Sequence, residues 1–359
     1  MQMRAIIKSN YETFHFFETG EHEKAKMKKA TIKDVCKMTG LSLGTVSKYL
    51  NGGNLREANR EKIGKAIEKL GYHVDEYARG FITNRTKTVG VLLPEFDNLF
   101  YARIVSAMEL ELSRSGYAVT VRESNRDVRK ERESVRWFIT RRIDALVIVP
   151  CGKSAQDYEY LKEVSIPVVF LDHYMPGVNC EFVLVDNREV CRKSVNYLLD
   201  CGHRKIAIVG APQGVYTSDE RMRGYKDAFE EHGLQADESL CYHVEENVDS
   251  AYLLIKKILS EKRCTALFTS NFPNTCGAIF AVNEMHICIP GELSLLGFDD
   301  MMFTRVFNPR LTIVDQPIGQ IAELTVSRLM EHLQKKVYDY RVNVLACNFE
   351  INDSTAVLE

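Results

Sequence analysis

"TIKDVCKMTGLSLGTVSKYLNG", residues Thr31 to Gly52, holds two short apolar stripes on either side of one glycine. Ile32, Val35 and Cys36 recur at helical spacing, Gly40 interrupts, and Val46, Tyr49 and Leu50 form the next stripe. Thr31 is a natural N-cap for the first helix and Ser42 for the second, and Gly40 suits the tight turn between them. Ile63, Ala66, Ile67 and Leu70 predict a third helix, stopped at Gly71. Two capped helices joined by a glycine turn, with a third behind, are the layout of a helix-turn-helix reader. Its second helix lies in the DNA major groove with its first turns facing the base edges.

Charge is spread unevenly around this segment. Residues 28–85 carry twelve Lys/Arg against six acids, a local charge of +6, so the remainder of a chain with net charge −2 carries −8. A basic head on an acidic body fits a polyanion-binding module joined to a separate domain. The first 27 residues show no clear period, and Met27 can itself serve as a start, so 1–27 reads as a variable extension. The N-terminus has no apolar run long enough for a signal peptide or a membrane span, which predicts a cytoplasmic protein. The ten cysteines form no C-x-x-C pair and sit in apolar contexts, so they read as small buried thiols rather than disulfides or metal ligands.

After Thr88 the pattern changes. Apolar runs recur at 89–94, 117–121, 145–150, 167–172, 205–210, 266–270 and 293–299, each followed by a helical stretch. Continuous apolar strands alternating with amphipathic helices predict parallel sheets covered on both faces. About 270 residues exceed one comfortable core, so two α/β subdomains are expected. In open α/β sheets ligands sit outside the C-terminal strand ends. Those ends bring Asp172, Asn271 and Asp299 to one rim, with Phe100 and Tyr101 just past another strand. Carboxylates and an amide accept from hydroxyls and rings stack on sugar carbons, so the set suits a polyhydroxylated ligand, although each residue alone also fits a cap or turn. Tyr174 is a weaker candidate, and Trp137 reads as core.

The opening stretch resembles the head of the lactose-repressor (LacI-type) transcription regulators, whose pattern runs T-x-x-D-V-A-x-x-A-G-V-S-x-x-T-V-S-R-x-L-N. Thr31, Asp34, Val35, Gly40, Ser42, Thr45, Val46, Ser47, Leu50 and Asn51 match it. The likeness continues through "LGYHVDEYARGF", "IPVVFLDHYMPG", "LLDCGHRKIAIVG", "ERMRGYKDAFEEHGL", "LSLLGFDD" and "LTIVDQP". It implies a helix-turn-helix domain at 28–73, a hinge helix or linker at 74–88, and two subdomains like those of periplasmic binding proteins. The first would take 89–186 and 317–345, the second 187–316 and 346–359.

The same resemblance implies roles. Leu43, Gly44 and Lys48 would read bases, and Thr31, Ser42, Thr45, Ser47 and Asn51 would hold phosphates. Ala78, Arg79 and Phe81 would form the minor-groove hinge, with Phe81 as the wedge. Effector contacts would come from Phe100, Tyr101, Asp172, Arg221, Asn271, Asp299 and Gln316. Three departures stand out: Val74 replaces a proline, Asp75 and Glu76 put negative charge near phosphates, and Phe272 stands where aspartate is usual.

The expected protein is therefore a homodimeric repressor of a pseudo-palindromic operator, tuned by a sugar-like effector bound between the subdomains. No leucine heptads in "LACNFEINDSTAVLE" call for a tetramer. Two rivals remain. An exported stand-alone sugar-binding protein needs a signal and no basic head. A nucleotide-dependent enzyme needs a phosphate loop, which "GAPQGVYTS" does not supply. No nucleophile–base pair, metal cluster or cofactor motif is apparent, so no enzymatic activity, metal or cofactor is expected.

Overall fold

The computed structural model describes residues 30–50, 52–72, 85–335 and 339–358 and separates into two compact units, Met1–Arg79 and Gly80–Glu359. The first holds α1 (Ile32–Thr39), α2 (Leu43–Leu50) and α3 (Glu57–Leu70). Thr31 caps α1 together with Asp34, whose carboxylate accepts from the Thr31 amide at 2.9 Å and the Thr31 hydroxyl at 2.7 Å. Gly40 ends α1 at φ +66°, a left-handed conformation that favours glycine. Ser42 Oγ accepts the Thr45 amide at 3.3 Å, capping α2. Val35, Val46, Ile63 and Ala66 form a small buried core.

The second unit contains two six-stranded sheets. The first runs through β1 (Thr88–Leu93), α4 (Leu99–Arg114), β2 (Ala118–Glu123), α5 (Val128–Thr140), β3 (Ala145–Ile148), β4 (Val168–Leu171) and β5 (Glu181–Val185). The chain then crosses into α6 (Asn187–Asp200), β6 (Ile206–Gly210), α7 (Tyr216–Glu231), β7 (Cys241–His243), α8 (Val248–Glu261), β8 (Ala266–Thr269) and α9 (Phe272–Glu284). It continues through β9 (Ser294–Phe298), α10 (Met302–Arg305) and β10 (Thr312–Asp315). It returns to the first lobe with α11 (Ile318–Lys335) and β11 (Val342–Leu345), and ends in the second with β12 (Asn348–Glu350).

Alternation along the strands explains the layering. Val89, Val91, Val147 and Val169 point to one face of the first sheet, covered by α4 and α11, while Leu92, Leu146, Ile148 and Phe170 point to the other, toward α5. The second sheet has α6 and α7 on one face and α8 and α9 on the other. Pairing is parallel throughout except where β12 runs antiparallel to β10, a departure from the all-parallel expectation. The chain enters β12 from β11 of the first lobe rather than through a helix packed on its own sheet, so no crossover connection sets it parallel to β10.

The return of α11 and β11 is pinned by a buried charge. Glu181 on β5 is fully buried and accepts from Arg328 Nε at 2.6 Å, His332 Nε2 at 3.1 Å, Asn343 Nδ2 at 2.7 Å and the Arg341 amide at 3.1 Å. Burial pushes its carboxyl up, and the bonds from Arg328, Asn343 and His332 outweigh that and hold it below its ordinary range. Cys180, Cys191, Cys201 and Cys276 are buried as expected, whereas Cys36, Cys151, Cys241, Cys264 and Cys347 are only partly buried and Cys288 is exposed on the loop after α9. Among the described residues no helix is long and apolar enough to cross a membrane.

Candidate DNA-reading helix and interlobe site

On α2, Leu43 is 53% exposed, and Gly44 and Lys48 are exposed beside it. An exposed leucine at the first position of a helix contributes nothing to the head's own core, so its apolar surface is available to a partner. A Cβ added to Gly44 would meet nothing nearer than Ser42 Oγ at 3.9 Å, so the fold does not require glycine there. Gly53 is different: its amide donates to the Lys48 carbonyl at 2.8 Å, and a Cβ would lie 2.5 Å from Lys48 Cγ. That glycine, unread in the sequence, lets the chain leave α2 directly under Lys48. Thr31 and Ser42 are exposed, and Thr45 and Ser47 are partly so. Asn51, Ala78, Arg79 and Phe81 lie outside the described residues.

In the second unit, Asp172 and Asp299 occupy matching places. Each follows the last residue of a strand, β4 and β9, at φ +68° and +70°, and each amide donates to the neighbouring strand, to Val183 at 3.0 Å and Val314 at 2.7 Å. Two non-glycine residues in the left-handed region carry strain, and such strain gathers at functional sites. Gln316 Nε2 donates to Asp299 Oδ1 at 2.7 Å, while its Oε1 is buried without a partner. Burial raises the Asp299 carboxyl to about 6, against the lowering effect of nearby Arg221.

Arg221 is buried on α7, with Nε donating to Asn187 at 2.7 Å, one Nη to the Ser270 carbonyl at 2.6 Å, and its guanidinium 3.9 Å from the Phe298 ring centre. Asn271 caps α9 by accepting the Asn274 amide at 2.9 Å. Phe100 and Tyr101, 5% and 4% exposed in the first turn of α4, belong to the first lobe's core rather than presenting free faces. Burial and the charges of Asp172 and Glu246 push the Tyr101 hydroxyl well up. Phe272, Cys276 and Met301 of the second lobe join the same apolar cluster.

Several neighbours escaped the sequence reading. Arg126, in the loop after β2, pairs with Glu95 at 2.7 Å and with Glu246 of the second lobe. It follows Asn125 at φ +51° and is itself at +55°, two consecutive left-handed residues. His173 adjoins Asp172 at 3.5 Å, and burial holds it below the usual imidazole value, so it is neutral near pH 7. Tyr216, opening α7, lies edge-on to Tyr174 with ring centres 6.2 Å apart, which joins an aromatic of each lobe. Trp137 packs against the first lobe's cluster under α5, the same cluster that Tyr174 and Tyr216 adjoin.

Residues 31–75 match the model described as bacterial regulatory proteins, lacI family, and residues 195–355 match a periplasmic binding protein-like domain. The chain is 30% identical to the HTH-type transcriptional regulator GalR of Escherichia coli, over 83% of this chain and 89% of that one. It is 28% identical to catabolite control protein A of Priestia megaterium, over 90% and 99%. In fold it superposes on the lac repressor dimer bound to operator and the anti-inducer ONPF with a TM-score of 0.82 at 21% identity, covering 92% of this chain and 100% of that one. It also matches the CelR–cellobiose complex, with a TM-score of 0.69 at 23% identity over 91% and 100%. With a capped helix-turn-helix ahead of two α/β lobes and a 30% identical relative over most of its length, the chain belongs to the LacI family of DNA-binding transcription regulators.

Proposed function

We propose that the chain is a homodimeric repressor whose operator affinity is set by a neutral or amine-bearing, hydroxyl-rich small molecule held between the two lobes. Leu43, Gly44 and Lys48 read base edges, Leu43 by contact with a thymine methyl and Lys48 by donation to guanine. Thr31, Ser42, Thr45, Ser47 and Asn51 fix register on phosphates, and Ala78, Arg79 and Phe81 enter the minor groove. The first lobe takes residues 89–186 and 317–345, the second 187–316 and 346–359.

The observation that carries the ligand class is the pair of strained strand-end carboxylates, Asp172 and Asp299, with the unpartnered Gln316 Oε1 beside the second. All three accept hydrogen bonds, so they ask for donors. The charges around them point the same way. Among the described residues, the carboxylates Glu95, Asp172, Glu246 and Asp299 outnumber the arginines acting on them, Arg126 and Arg221. Arg126 is taken by the two glutamates, and Arg221 already donates to Asn187 and Ser270. A phosphate or carboxylate entering this field meets net negative charge, with Arg221 held by the neutral acceptors Asn187 and Ser270. Solved structures of relatives contain cellobiose and ribose, polyols of the class these acceptors suit.

The mechanism is a linkage. A ligand touching Asp172 on one lobe and Asp299 on the other prefers one relative orientation of the lobes. In a dimer that orientation sets the spacing of the two reading heads. Coupling of about 1–3 kcal/mol changes operator affinity roughly 5–150-fold. The test is selection of an operator from a random pool by the full-length protein, followed by titration with neutral, amino and phosphorylated sugars. Neutral or amino sugars shifting operator affinity, with phosphorylated ones inert, is the expected result. Preferential response to the phosphorylated series overturns the reading.

A further inference from the structure

Many surface arginines of the body are ion-paired: Arg188 with Asp227, Arg192 with Glu189 and Glu231, Arg310 with Glu350, Arg341 with Asp339. The C-terminal end of α5 and the entry to β1 instead gather several cations that are not. Lys87, Arg136 and Arg141 are exposed and make no ion pair among the described residues. Lys87 Nζ instead sits 4.3 Å from the centre of the Tyr117 ring, and the Arg141 guanidinium 3.6 Å from that of Trp137. An aromatic face holds a cation in place without neutralising it, so the charge stays available to an external anion.

These groups share one end of the first lobe. The Thr86 hydroxyl donates to the Arg142 carbonyl at 2.8 Å, and the Asp144 carboxylate is occupied by the Thr86 and Lys87 amides at 3.0 and 2.8 Å. Arg85 and Arg142 add positive charge there. It is also the end at which the chain arrives from the reading head. Thirteen peptide links separate Tyr72 from Arg85 and cannot span more than about 45 Å. A duplex gripped by the head is thus tethered to this lobe, and tethering gives even weak contacts a high effective concentration. The rest of the chain outside residues 28–85 carries −8 and repels phosphate, so a cationic end is the surface that a nearby duplex would meet favourably.

We propose that Lys87, Arg136 and Arg141 contact the phosphates of duplex DNA flanking the site read by α2. The contact is independent of sequence. It adds affinity through counterion release, and each phosphate neutralised steepens the salt dependence.

The experiment uses the full-length protein with a selected operator carried either within long flanks or trimmed to the site. The wild type should prefer the long duplex. The triple variant Lys87→Gln, Arg136→Gln, Arg141→Gln should lose that preference, and its slope of log affinity against log salt should be shallower by about 2–3. The charge-conserving pair Arg136→Lys, Arg141→Lys should keep both properties, which separates charge from packing on Trp137. If the triple variant melts early, the single Arg136→Gln, on an exposed helix face, should still reduce the slope by about 1. A wild type indifferent to flanks, or variants with unchanged slope, overturns the proposal and leaves this surface to an acidic protein.

Discussion

Arg126 and Glu246 form an ion pair that crosses from the first lobe to the second. Around it, Phe272 and Met301 carry second-lobe apolar surface into the first lobe's core, and Arg103 donates to the Asp300 carbonyl at 3.1 Å. The lobes are therefore latched by both charge and packing, and the charged part can be isolated by mutation.

Reversing one charge, by Arg126→Glu or Glu246→Arg, sets like charges against each other across the lobes and should lower the melting temperature. The double reversal should regain part of the loss, with a coupling of about 1 kcal/mol for partly exposed partners. Glu95, which also binds Arg126, keeps the recovery incomplete. Strict additivity of the two single effects would show that the pair does not hold the lobes together.

Effector binding should depend on pH through Asp299, whose carboxyl burial has raised to about 6. Ligand hydroxyls donate to the ionised form, so binding lowers this value and releases a proton. Affinity should rise with pH from 5 to 7 by at most about tenfold per unit, then level off. In the ligand-free protein the sign is opposite: a raised carboxyl stabilises the fold below its unfolded value and loses that contribution as pH climbs through about 6. Calorimetry with Asp299→Asn should give weaker binding without the pH slope. A slope retained in that variant would assign it to another group.

Two substitutions on the reading head should behave differently. Lys48→Ala should cost about 1–3 kcal/mol on the best operator and relax preference at one base pair of each half-site. Ser42→Ala removes a cap worth about 1 kcal/mol of helix stability and should weaken all sequences alike. Binding to a panel of single-base operator variants distinguishes them, and identical profiles would remove Lys48 from base reading.

Arg328→Met leaves Glu181 buried without its principal partner. Breaking a buried ion pair typically costs about 3–5 kcal/mol, which urea unfolding can measure. The wild-type carboxyl lies below its ordinary range, so its stabilising contribution is present above the unfolded value and is lost as pH falls through the folded one. The variant should therefore be less sensitive to acid than the wild type, and equal sensitivity would contradict the charge assignment.

The sequence disclosed the parts of the molecule that rest on strong local signals. The head is legible because Gly40 and the cap at Thr31 punctuate clean apolar stripes, and the strands expected from apolar runs are, except for the partly buried β2, buried over four residues or more. Asp172 and Asp299 were placed at strand ends by pattern, though nothing local betrayed their left-handed backbone. Glu246 was invisible because β7, "CYH", has no apolar run, so no strand end was read before it. Arg126 was missed because β2 runs to Glu123 on a polar edge, where alternation fades. Its partner lies 120 positions away, a distance across which local periodicity carries nothing. Glu181 likewise reads as an odd acid in an apolar run until α11 folds back to meet it.

That returning segment has a genetic corollary. A nonsense codon just ahead of Val342 would strip β11 from an edge of one sheet and β12 from an edge of the other, so both halves of the sensor would be damaged at once. Neither half can be cut out as a continuous gene fragment, and a library seeking a transplantable ligand module must move residues 85–358 together.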